Sequence, residues 1–271
     1  MEIDFTFYRP LIDQNGRPTQ NYQLLETYRR HLKGGDRIIL KVPQIVTAQK
    51  IHKGDQYLEN ESYLNPNIFT EQFYKPAVSI LGSNLTGFIF EQEYQRKEDR
   101  HPVNGMARDL DRFFKAIPKD TRYHLELRTD LYLRDQVFEV LQRYGVGQIL
   151  SHWTWLPPLR KQLAKVSGRF FNAGNECVIR LMTPLDMRYE DAYLKAFPFD
   201  RLIEGMMQPE MILETVEIMK RGIEKGVLVN LIVNNRTGGN APLIAQEIAK
   251  RFLGKIVPST PHQLNLWDIY P

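Results

Sequence analysis

The chain has 271 residues, 42% hydrophobic and 25% charged, with a formal net charge of +4 and a pI near 9.0. That length suits one or two domains, the ordinary composition excludes a disordered or fibrous chain, and the mild basic excess permits an anionic partner without demanding one. The single cysteine, Cys177, excludes an internal disulfide, and with no apolar run of about 18 residues and no signal-peptide pattern at the N-terminus, a cytoplasmic protein is expected.

Short apolar runs alternate with helical patterns along the chain. IDFTFY (3–8) reads as a strand, and NYQLLETYRRHLKGG (21–35) as a helix stopped at Gly34. RIILKVP (37–43) reads as a strand, followed by a long polar loop over 48–66. A helix is expected over 67–82, kinked by Pro76, then a strand TGFIFEQ (86–92) and a helix over 105–116. RYHLELR (122–128) reads as a strand and RDQVFEVLQRYG (134–145) as a helix ending at Gly145. VGQILSH (146–152) is the next strand, with a short helix over 156–166, and CVIRLM (177–182) is another. After a long connection over 183–208 come a helix (209–226), a strand VLVNLIVNN (227–235) and a helix APLIAQEIAKRF (241–252).

Seven strand–helix units in alternation imply a parallel sheet covered by helices on both faces. The expected fold class is therefore α/β, a TIM-type (β/α) barrel formed by residues 1–254, with a C-terminal tail at 255–271.

Within such a barrel one parity of each strand packs on the helices and the other points inward. In RYHLELR, Tyr123, Leu125 and Leu127 alternate with Arg122, His124, Glu126 and Arg128. The same alternation sets Glu2, Asp4, Thr6 and Tyr8 opposite Ile3, Phe5 and Phe7, and Lys41 opposite Leu40 and Val42. It pairs Gln148 with His152, Val178 with Arg180, and Asn230 with Asn234; in the strand ending FEQ either Glu91 or Gln92 fits the inward phase. Buried charges are costly unless paired, so a polar file at the barrel mouth reads as a site. The competing reading is a structural plug of ion pairs. His124, low on its strand, reads as a core histidine and Cys177 as a small buried apolar residue. The aromatics of HWTWLPP (152–158) suit either the core or a stacking surface at the mouth.

VNNRTGGNAP (233–242) passes through Gly238 and Gly239 into a helix capped by Asn240, a place where phosphate or carboxylate can bind. There is no HExxH, CxxC pair, P-loop or nucleophile elbow, so no metal is assigned, carboxylate-bound magnesium or manganese stays open, and no cofactor is named.

Six stretches in order resemble domain-of-unknown-function family 72, also called YecE-like: EIDFTFYRP, KVPQIVTA, FIFEQ, FFKAIP with HLELR, IRLMTP, and VNNRTGGNAPLIAQEIAKRF. The resemblance implies a TIM-type barrel and carries the family's polar positions onto Glu2, Tyr8, Lys41, Gln92, Glu126, Arg128, Arg180 and Asn234. Family members usually begin with a Gly-Thr-Ser-Gly-type strand and helix, so one unit is expected to be missing here, and the family's QLPP-like strand end reads FEQEYQ.

The leading expectation is an enzyme, a hydrolase or isomerase, acting on a phosphate- or carboxylate-bearing small molecule such as a sugar derivative. Glu126, His152 and Lys41 are its catalytic candidates. Glu2, Tyr8, Gln92, Arg128, Arg180, Asn234, Gly238 and Gly239 are its ligand-binding candidates, the arginines for bidentate anion contacts. The alternative is a nucleic-acid-binding or -processing protein resembling TIM-barrel apurinic endonucleases, using loop 48–66, YQRKEDRH (94–101) and Trp153 with Trp155. A third reading is a scaffold for a partner protein.

Overall fold

The computed structural model describes residues 1–53 and 56–254; the expected tail, 255–271, lies outside the described residues. The N-terminal segment departs from the expected strand. Only Glu2–Ile3 pair as β1, and Phe5–Tyr8 turn into a short helix α1. The Thr6 hydroxyl donates to the Lys41 carbonyl at 2.7 Å, and the Phe7 amide to Asp4 O, which fixes the turn. Helix α2 (Gln20–His31) stops a turn earlier than Gly34. Strand β2 (Ile38–Lys41) leads into α3 (Gln44–Thr47). The expected loop 48–66 contains an antiparallel hairpin, β3 (Lys50–Lys53) and β4 (Gln56–Glu59).

The kinked helix divides into α4 (Pro66–Phe69), a π-turn (Thr70–Tyr74) and α5 (Lys75–Leu81). Pro76 has no amide to give the turn before it. The nearby Gln72 carbonyl accepts instead from the amides of Leu11 and Ile12 at 3.0 and 2.9 Å. β5 (Leu85–Glu91), α6 (Val103–Ala116), β6 (Tyr123–Glu126) and α7 (Asp135–Tyr144) follow as expected, and α7 ends at Gly145 in the left-handed region. The next strand breaks at Ile149 into β7 (Gly147–Gln148) and β8 (Leu150–His152), before α8 (Leu159–Lys165) and β9 (Glu176–Leu181). Connection 183–208 holds a helix that the sequence pattern misses, α9 (Tyr189–Ala196). Helix α10 (Pro209–Glu224), β10 (Leu228–Val233) and α11 (Ala241–Leu253) complete the chain.

The large strands pair in parallel and in chain order: β1-β2-β5-β6-β7, then β8-β9-β10. The Ile149 amide donates to Leu125 O at 2.9 Å, so the β7–β8 break is a register shift within one strand that joins the two sheets. The fold is thus α/β, with helices over the outer face of parallel strands. The outer core is built from the parity that includes Leu40, Phe88, Phe90, Tyr123, Leu125 and Ile179. A second apolar layer, Ile39, Ile89, Ile149 and Val178, fills the inner face. The sheet curls far enough for Arg180 of β9 to meet Glu2 of β1 at 2.7 Å. Among the described residues no pairing joins β10 to β1, so a closed barrel is not seen.

Candidate functional site

Directly above the inner apolar layer the same parity turns charged. Lys41, Glu91 and Glu126 are the last residues of β2, β5 and β6, and Arg180 is next to last on β9. The Arg180 guanidinium sits at the centre. Its Nη1 donates to Glu91 Oε2 at 3.0 Å and to Glu126 Oε2, and its Nη2 to Glu2 Oε1 at 2.7 Å. Lys41 Nζ lies 2.7 Å from Glu91 Oε2 and 3.0 Å from Asp4 Oδ1. Arg128 Nη1 reaches Glu91 Oε1 at 2.9 Å, and Nη2 lies 3.4 Å from Glu126 Oε2. Ser151 donates to the other Glu126 oxygen at 2.6 Å.

Four carboxylates thus meet three cations, and Lys41, Glu91, Glu126 and Arg180 among them are buried. The solvent side of the cluster is Asp4, 64% exposed, and Arg128, 16% exposed. The Arg128 guanidinium lies 4.9 Å from the centroid of the Trp153 ring; Trp153 meets Tyr94 edge-on, and Tyr94 stacks on the exposed Trp155 at 5.0 Å. This places Trp153 and Trp155 in a rim beside the charges.

The charge balance sets the protonation states. Burial alone would raise the Glu91 carboxyl, but Arg128, Lys41 and Arg180 outweigh it and hold Glu91 well below the usual carboxylate range. Burial raises Glu2 despite the pull of Arg180. Burial would lower Lys41, yet Glu91 keeps its amine above the ordinary value, so Lys41 is a cation. Arg180 is likewise held protonated against burial by Glu126, Glu2 and Glu91.

Of the expected site residues, Glu2, Lys41, Glu126, Arg128 and Arg180 converge, and the others do not. Gln92 faces the helices, where its Oε1 accepts from Tyr63 Oη at 2.9 Å; Glu91 holds the inward phase. Tyr8 is 70% exposed on α1, because the segment is helical and its parity is lost. His152 also points outward. Its Nε2 meets Gln208 Oε1 at 2.9 Å, and burial pushes its pKa down to about 4. The inward parity of that strand is Ile149 and Ser151, the reverse of the expected Gln148 and His152. Ser151 is the member of the cluster that the pattern misses. Its backbone is clamped by Gln162 of α8, which donates to Ser151 O at 2.7 Å and accepts from Ser151 N at 3.2 Å.

The turn 234–241 is also differently employed. Asn234 Oδ1 accepts from the Arg236 amide, Asn235 Oδ1 from Ala241 N at 2.7 Å and Asn240 Oδ1 from Leu243 N at 3.0 Å; Pro242 has no amide. The first turn of α11 therefore has its donors engaged by side chains, which removes the basis for an anion site there. Gly239 stands at φ +105, where a Cβ would meet the Arg201 carbonyl at 2.2 Å, so close packing on the 201–207 loop explains this glycine. His124 is buried at 1% exposure, with Nδ1 3.1 Å from Arg122 O, as a core histidine. A hollow of about 620 Å³ beside His101, Arg108 and Arg143 lies on the outer face of α6 and α7, away from the strand ends.

A family comparison decides the lineage. The sequence model described as "Protein of unknown function DUF72" matches residues 1–264. The chain belongs to the DUF72 family. Two crystal structures of a DUF72 family protein from Enterococcus faecalis V583 share its fold at 16% identity. One has a TM-score of 0.58, with 93% of this chain and 88% of that chain covered. The other has a TM-score of 0.59, with 97% and 88% covered. A DUF72 family protein from Thermotoga maritima MSB8 is similar at 15% identity, TM-score 0.52, covering 89% of this chain and 82% of that one. No curated protein matches this DUF72 chain in sequence. Among its described residues no helix is long and apolar enough to cross a membrane, and no three His, Cys, Asp or Glu side chains converge as a metal site would.

Proposed function

We propose that the curled sheet is a TIM-type barrel with one open seam, and that the charged cluster at its mouth is the active site of an enzyme acting on a phosphate- or carboxylate-bearing small molecule. One observation carries this reading. On β2, β5 and β9 the inner parity is apolar at Ile39, Ile89 and Val178 and charged two residues on, at Lys41, Glu91 and Arg180. Apolar side chains fill the layer beneath, and replacing buried ion pairs by apolar groups is often neutral or stabilising, so packing alone does not call for the charges. Barrel enzymes work at this end of the strands.

The roles follow from exposure and charge. Arg128 and Lys41 hold the anionic group, Arg128 because it lies on the solvent side against Trp153 and Lys41 because it stays a cation beside the exposed Asp4. An anion that draws Arg128 away leaves Glu126 Oε2 with Arg180 as its one cation, and Glu126 then takes or returns the substrate proton. Ser151 and Arg180 position Glu126, and Trp155 offers a flat face to a ring on the substrate.

The test is a thermal-shift panel of phosphate, sugar phosphates and small carboxylates. A ligand at 100 times its Kd should add about 2.7 kcal/mol of stability, and Arg128→Ala should abolish the shift. With the ligand in hand, Glu126→Gln should keep binding and lose turnover. No shift with any anion would favour the structural plug.

A further inference from the structure

Strand β10 meets the mouth differently from its neighbours. Ile232 packs against the inner apolar layer, so Asn234, two residues on, falls where β2, β5 and β9 carry Lys41, Glu91 and Arg180. The charge on this side comes from Arg236 instead. Its Nη1 lies 3.4 Å from Asn234 Oδ1. Its guanidinium lies 4.0 Å from the centroid of the Tyr189 ring and 5.2 Å from that of Tyr193, both on α9. The segment around α9 is tied to the turn: Asn240 donates to Phe199 O at 2.8 Å, and the Ile203 amide to Gly238 O at 2.9 Å. Two aromatic rings thus hold a half-buried cation in place.

Arg236 differs from the other cations of the mouth in having no carboxylate. Lys41 pairs with Asp4 and Glu91, Arg128 with Glu91 and Glu126, and Arg180 with Glu2, Glu91 and Glu126. Arg236 forms no ion pair among the described residues, and its buried Nε has no partner there. Glu190 and Asp191 of α9 are exposed and do not pair with it. An anion that reaches Arg236 therefore competes with one long amide contact rather than with an acid. A guanidinium held by its face keeps its edge for bidentate contacts. We infer that Arg236 is a second anion-binding residue, and that the mouth takes a small molecule with two anionic groups, such as a sugar bisphosphate or a phosphorylated sugar acid. This rests on the charged cluster being a site that binds anions: Lys41 and Arg128 receive one group, and Arg236 the other. Arg128 follows β6 and Arg236 follows β10, three strand spacings round the sheet with β7–β8 taken as one strand, or roughly 14 Å along it. The curl of the sheet and two long side chains shorten that gap, which suits a sugar charged at both ends better than a single phosphate.

Calorimetric titration of the full-length chain with fructose monophosphate and fructose bisphosphate tests this. The bisphosphate should bind at least about tenfold more tightly, through one added charge-assisted contact. Arg236→Met keeps an apolar chain against the two tyrosines. It should lower the bisphosphate to the affinity of the monophosphate and leave the monophosphate unchanged, and Arg236→Lys should restore part of the difference. Arg236→Gln makes the same comparison should the Met variant fail to fold. Equal binding of the two probes by the parent, or a bisphosphate preference that survives in Arg236→Met, would overturn the role of Arg236 and leave the cluster a site. So would an equal loss for both probes, which would make Arg236 a structural support of the mouth. Binding of neither probe would also overturn it, and the thermal-shift panel with other anions then decides separately whether the cluster is a site.

Discussion

His152 and Glu91 show how the same burial has opposite outcomes for single residues. Glu91 is compensated by three cations and stays ionised. His152 has only an amide, Gln208, and is kept neutral, with its pKa near 4 against an ordinary 6.5. A base whose folded pKa is lowered binds fewer protons than its unfolded form between those values. Its contribution to stability is complete above pH 6.5 and is lost as pH falls toward 4. The loss amounts to on the order of 3 kcal/mol. His152→Gln, which retains an amide donor for Gln208, should therefore flatten the fall in stability between pH 6.5 and 4. Urea titrations of both proteins at several pH values in that window measure the difference. His124, also lowered by burial, titrates equally in both and cancels. A parallel pH profile in the two proteins would contradict the neutral assignment of His152.

At the scale of elements, alternation was a sound guide where one parity is uniformly apolar. β6 and β9 follow it: Leu125 and Ile179 pack outward, and Glu126 and Arg180 point in. The β7–β8 strand misleads because its inward residues are Gly147, Ile149 and Ser151, small or apolar. A Cβ on Gly147 would meet His124 Cδ2 at 2.5 Å, so the inner face is kept small by a neighbour that the local sequence does not contain. Helix α9 is hidden for a similar reason: eight residues bury only Ala192 and Ala196, too few for a periodic signal. The α11 turn gives a prediction at this scale. Asn240 caps Leu243 N, so Asn240→Ala should lower stability by about 1 kcal/mol. Because the turn's amides are already engaged, the same change should leave the affinity for any anion bound at the mouth unaltered. Calorimetry and an anion titration on one variant check both halves. A loss of anion affinity would return the binding site to this turn.

For the whole molecule, Arg180 is the tie between strands that are far apart in the chain: it joins β9 to β1, β5 and β6. Arg180→Met would leave Glu126 fully buried with its nearest cation at 3.4 Å, and Glu91 with Lys41 and Arg128. Breaking a buried pair from one side costs about 3–5 kcal/mol, and urea unfolding should show a loss of that size. Arg180→Met combined with Glu91→Leu and Glu126→Leu removes one cation and two of the four carboxylates. Lys41 then keeps Asp4, while Arg128, beside Trp153 on the solvent side, and Glu2, already raised by burial, lose their ion-pair partners. The triple variant should recover part of the loss, because Glu91 and Glu126 no longer stay buried without Arg180, Arg128 can turn to solvent, and burial favours the neutral form of Glu2. Its response to anions separates the two meanings of the cluster. A site loses proton transfer when Glu126 is gone, while Arg128 and Lys41 remain to give the thermal shift with the small anion. A plug has no proton transfer to lose and shows no anion shift in the variant or in the parent. A triple variant that stays as unstable as Arg180→Met would mean that the ion pairs specify how the strands curl together, a role that apolar side chains of the same size cannot fill.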